Sequence, residues 1–84
     1  MRYRYSPEVL EALAGHGLCP QPDTPPARVR DALSDLYRYE IRRLKSQLLA
    51  GRFPKSQYVG LVLDLRKRYG LLSVPVTLWA RRES

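Results

Sequence analysis

Eighty-four residues, 44% hydrophobic and 27% charged, fit one small globular domain and exclude wholesale disorder. A net charge of +7 points to acidic partners, and a single cysteine, Cys19, excludes an internal disulfide. No stretch holds the roughly 20 apolar residues that span a bilayer, and Met1-Arg2-Tyr3-Arg4-Tyr5 lacks the apolar core of a secretory signal. A cytoplasmic protein with no membrane contact is therefore expected.

The first helix is predicted over residues 6–15. Ser6 is the N-cap candidate, Pro7 suits the first helical position, and Glu8 and Glu11 lie where the helix dipole favours acids. Residues 16–25 contain Gly17, Pro20, Pro22 and Pro25, which forbid a regular element and predict a stiff, partly extended connection.

Thr24 is the next N-cap candidate and Gly51 the next stop, so a long helix is predicted over residues 26–50. At about 100° per residue, Val29, Leu33, Leu36, Tyr37, Ile41, Leu44 and Leu48 share one face. Arg38, Arg42 and Lys45 share the opposite face with Asp31 and Asp35. A further helix is predicted over residues 54–69, with Tyr58, Leu61, Val62, Leu65 and Tyr69 as its stripe. The short turn between the two favours antiparallel neighbours with facing stripes.

Gly60 costs this helix about 1 kcal/mol relative to alanine. It implies either close approach of another backbone or an exposed face that tolerates it. Residues 71–84 are too apolar for a solvated end, so a packed strap or short helix is expected, with Leu72, Val76, Leu78 and Trp79 covering the hairpin. The expected fold is all-α: a three-helix domain built on an antiparallel helical hairpin, with a short N-terminal helix and a packed apolar tail.

Charge is distributed unevenly along this plan. Residues 38–68 carry nine basic side chains against Glu40 and Asp64, a balance equal to the whole net charge of +7. Arginine outnumbers lysine twelve to three and asparagine is absent. That is the bias of a GC-rich bacterial genome, so arginine richness alone says little about phosphate binding. Internal pairing is expected to lower the field, through Asp35 with Arg38, Glu40 with Arg43, and Asp31 and Asp35 with Arg66 to Arg68.

Chemistry beyond charge has little to work with. His16-x-x-Cys19 is half of a metal site or a candidate nucleophile pair, but it is the only such pairing, and a single chain offers no four-ligand set. The glycines match neither the P-loop nor the dinucleotide spacing. No enzyme, metal or cofactor is expected.

The pattern points to a non-catalytic binding protein that docks on an acidic macromolecule. Nucleic acid or a ribonucleoprotein is favoured, through phosphate or shape contacts at Arg38, Arg42, Lys45, Arg52, Lys55, Lys67 and Arg68. Arg-Tyr alternation at Arg2-Tyr3-Arg4-Tyr5 adds aromatic faces on which bases could stack, or forms a strap over the first helix. The alternative is an accessory or assembly subunit of a protein complex, or a homodimer, with Val59, Leu63, Arg66 and Trp79 at the interface.

Overall fold

The Ser6 hydroxyl accepts a hydrogen bond from the Val9 amide (3.4 Å) and Pro7 fills the first helical position, so α1 runs Pro7–Ala14. In the computed structural model, which describes residues 2–83, the reversal after α1 occurs at Gly17 (φ 76°) and not at Gly15, which stays right-handed. The proline-rich connection contains one tight turn, in which the Thr24 amide donates to the Gln21 carbonyl (3.0 Å). The Thr24 hydroxyl accepts from the Gln21 amide (3.1 Å). Thr24 therefore closes a turn and does not cap the long helix, whose N-cap is Pro25 with no side-chain bond.

That long helix, α2, spans Pro26–Leu49, and Gly51 (φ 74°) supplies the left-handed residue that lets the chain reverse. α3 spans Lys55–Arg68. It returns along α2: Tyr69, just past its end, meets Tyr37 at 5.1 Å between ring centroids and donates a hydrogen bond to Glu40.

The all-α expectation needs correction in the tail. Two 3-10 turns, Gly70–Ser73 and Val76–Leu78, lead into a strand, β2 (Ala80–Glu83), which pairs antiparallel with β1 (Arg2–Tyr5). The fold is mostly helical with a two-stranded ribbon joining the chain ends. The Arg-Tyr alternation of β1 has a strand's period of two, but four residues form no stable strand without the partner that lies at the far end of the sequence.

The buried core is Tyr5, Val9, Leu13, Val29, Leu33, Leu65, Tyr69 and Trp79. All of it lies at one end of the hairpin, drawn from β1, α1, the first half of α2, the last turns of α3 and the tail. Trp79 is wholly buried and its indole donates to the Val74 carbonyl at 3.1 Å. This corrects its expected place in a protein interface, because a side chain without surface contacts no partner. Leu78, expected to cover the hairpin, is instead 68% exposed. The 3-10 turn at Val76–Leu78 turns it outward while Val76 packs against the core.

The molecule measures 53 × 17 × 16 Å with a radius of gyration of 15.4 Å. A compact chain of this length would give about 12 Å. The excess is the far half of the hairpin, which projects as an arm beyond the core. There Ile41, Leu44, Leu48, Tyr58, Leu61 and Val62 are only half-buried, because two helices cover each other on one side alone.

Candidate functional site

The long helix places Arg38, Arg42 and Lys45 within about 60° of one another on the face opposite Leu33 and Leu44. All three are exposed and form a ridge on the arm, with Arg52 in the turn and Lys55 at the start of α3 continuing toward its tip, both also exposed. Lys67 and Arg68 lie about 18 Å back along α3 from Lys55, level with the Arg38–Arg42 half of the ridge. Arg68 borders a cleft with Glu40, Arg43 and Leu44 of α2, whereas the helical spacing turns Lys67 away from α2. All seven predicted contacts are exposed.

Neutralisation is slight. Among the described residues the one ion pair is Arg38 with Asp35, at 3.5 Å and with both side chains more than 70% exposed, a geometry worth little in water. The expected pairing of Asp31 and Asp35 with Arg66 to Arg68 is not made, since those acids lie on the face of α2 away from α3. The expected Glu40–Arg43 pair is also replaced. Glu40 lies on the inner stripe of α2, one turn beyond Tyr37, and accepts the Tyr69 hydroxyl.

That hydrogen bond belongs to a junction the sequence did not disclose. The His16 ring packs against Tyr69 at a tilt of 35° with centroids 4.3 Å apart, and its Nε2 donates to the Arg68 carbonyl (2.9 Å), one of the free carbonyls at the end of α3. Burial, followed by the bond to the Glu40 carboxylate and its charge, pushes the Tyr69 phenol up to about 12. Three elements are thereby tied: the turn after α1, the middle of α2 and the end of α3. A cleft of about 350 Å³ opens beside them, bordered by Leu36 and Tyr39. The His16, Tyr69 and Glu40 side chains are spent on one another and on the Arg68 carbonyl, so the arrangement acts as a brace. The available signal was the placement of Glu40 at an apolar position of the helical repeat.

The His16–Cys19 pair has no convergent partners: no cluster of three or more His, Cys, Asp or Glu side chains occurs among the described residues. Val59 and Leu63 project from α3 at 64% and 48% exposure, and Arg66 beside them is exposed. Gly60 faces open space, with nothing within 4 Å of where a Cβ would lie, so the close-approach expectation gives way to the tolerated exposed face.

No family model, curated protein or solved structure matches this chain. The reading of function therefore rests on the surface itself. No helix among the described residues is long and apolar enough to cross a membrane.

Proposed function

We propose that the protein is a non-catalytic docking module that uses its cationic helical arm to bind an acidic macromolecule, nucleic acid or a ribonucleoprotein first. The supporting observation is the exposed ridge of Arg38, Arg42 and Lys45, continued by Arg52 and Lys55, with only the weak Asp35 contact to offset it. Phosphates of a polyanion fit such a row without base readout, since the ridge carries cations and no amide side chain between Arg38 and Lys45. A titration with generic duplex DNA and RNA at several salt concentrations tests it. Engagement of about five phosphates gives a log-log slope near −4, whereas salt-independent or absent binding refutes the reading.

The uncovered apolar side of the arm supports a second reading, an accessory subunit held by protein contact through Val59, Leu63 and Arg66. A partner of that kind stays bound at high salt and after nuclease treatment, where a nucleic acid does not.

A further inference from the structure

The β1–β2 ribbon sets two arginines directly against each other. In the antiparallel register Arg4 is the partner of Arg81, Tyr3 of Arg82, Tyr5 of Ala80, and Arg2 of Glu83. Directly opposed residues share a face of the sheet, so Arg2, Arg4, Arg81 and Glu83 lie on one face and Tyr3, Tyr5, Ala80 and Arg82 on the other. Tyr5 is buried, which turns the arginine face to solvent.

Like charges directly opposite one another destabilise a strand pair, and their Cβ atoms stand only about 5 Å apart. Neither Arg4 nor Arg81 has an ion-pair partner among the described residues. The one carboxylate of the ribbon, Glu83, stands opposite Arg2, one position along that face from Arg4. Both arginines border a groove of about 650 Å³ that also reaches Ser6 and Glu8, and there the Ser6 hydroxyl donates to the Glu8 carboxylate (3.3 Å).

The pair is also held in place. The Tyr3 amide donates to the Pro22 carbonyl (2.7 Å), the Tyr5 hydroxyl to the Thr24 carbonyl (2.6 Å), and the Ser6 amide to the Trp79 carbonyl (3.0 Å). An isolated ribbon of four-residue strands could splay to separate two guanidinium groups. This one is tied to the connection on one side and to the buried Trp79 on the other, so the two arginines stay in register on one face of the folded protein.

We propose that Arg4 and Arg81 form a phosphate-binding clamp, the two planar guanidinium forks gripping the oxygens of one phosphate group. The site lies at the core end of a 53 Å rod, away from the ridge on the arm. It goes beyond the docking reading, because it requires only a phosphate and not a polyanion. Residues 1–37 and 69–84 sum to −1 and +1 along the chain, yet the pairing of β1 with β2 gathers Arg2, Arg4 and Arg81 against Glu83 on one face.

The test uses inorganic phosphate exchanged for chloride at constant ionic strength. A site with a Kd near 10 mM raises the melting temperature at 100 mM phosphate by roughly 5 °C or more. Arg81→Gln should melt no lower than the parent without phosphate and should lose most of that shift, while Arg28→Gln, on an exposed part of α2, should keep it. The Nε–H resonances of Arg4 and Arg81 should move together on titration. An equal phosphate response in the parent and Arg81→Gln, or unmoved arginine resonances, overturns the proposal.

The same variant separates the sources of phosphate. If Arg81→Gln also weakens nucleic-acid binding several-fold with a salt slope smaller by about 1, the clamp takes a backbone phosphate; unchanged nucleic-acid affinity assigns it to a free phosphate or phosphomonoester. Failure of the arm to bind nucleic acid leaves the inorganic phosphate response as it is.

Discussion

Substituting Tyr69 by phenylalanine removes one oxygen and nothing else from the junction between α1, α2 and α3. The ring is 5% exposed and keeps its contacts with His16 and Tyr37, so hydrophobic burial is nearly unchanged. What is lost is a hydroxyl donating to the Glu40 carboxylate. Hydrogen bonds to charged groups contribute about 1.5–3 kcal/mol. Glu40 is only half-buried beside an open cleft, so water can replace the phenol in part, and a loss of about 1–2 kcal/mol is expected. For a domain of this size that lowers the melting temperature by about 5–15 °C. Urea denaturation of the parent, Tyr69→Phe, Glu40→Gln and the double variant isolates the pairwise contribution, which should reach about 1 kcal/mol.

An alkaline limb provides an independent reading. A phenol raised from 10 to about 12 in the folded state favours folding while it stays protonated. Its stabilisation is complete below pH 10 and disappears as pH rises through about 12. Tyr69→Phe should flatten stability against pH in that window, leaving the part due to Tyr5, whose phenol burial also raises. A single-variant loss below about 0.5 kcal/mol, a coupling near zero and an unchanged alkaline limb would together refute the brace.

Four further outcomes follow from the same geometry. Gly60→Ala should stabilise the domain by about 0.5–1 kcal/mol in urea melts, since its Cβ enters open space on an exposed helical face. Trp79→Ala should cost about 3–5 kcal/mol, a large part of the whole stability of so small a chain, and leave it mostly unfolded by circular dichroism, whereas Leu49→Ala at 79% exposure should change stability by less than about 0.5 kcal/mol. Arg42→Gln should reduce the salt slope of nucleic-acid binding by about 1 without changing the melting temperature. Hydrogen exchange should be fastest, among helical amides, from Ile41 to Val62 and slowest around Leu33 and Leu65, because the arm has no fully buried side chain.

Legibility in the sequence followed the length of the elements. α2 and α3 announce themselves through repeated apolar positions bounded by proline and glycine, and the exposed ridge of Arg38, Arg42 and Lys45 is a direct consequence of that same period. Thr24 misled because a threonine before two prolines fits a helix cap as well as a turn, and the deciding bond is to Gln21, upstream of it. Glu40 suggests a local pair with Arg43 because i, i+3 spacing is all the sequence displays, whereas its actual partner lies 29 residues away, past the end of α3. The apolar tail points to a packed Trp79, as found, while its alternative place at an interface survives in the sequence because the path of the tail depends on pairing with β1 at the far end of the chain. In the same way the arginines of the ribbon are invisible as a cluster until the chain ends meet.

The arm's apolar exposure and its charge have a common physical consequence. Two helices alone leave the sides of their shared stripe half-open, and the cations along the outer face of α2 repel one another with one weak carboxylate contact to relieve them. Both features predict that the arm opens more readily than the core end, whose junction is tied by the Tyr69–Glu40 and His16–Arg68 hydrogen bonds. On the proposed docking reading, a polyanion along the ridge removes the repulsion, and one that prefers the formed helix would also tighten it. Binding and local order are then linked with the same sign. Salt should act twice on such a module, weakening the complex through counterion release and relieving the free arm through screening, so the measured salt slope contains both effects. Helical order of the free arm, followed by circular dichroism across the same salt series, separates them.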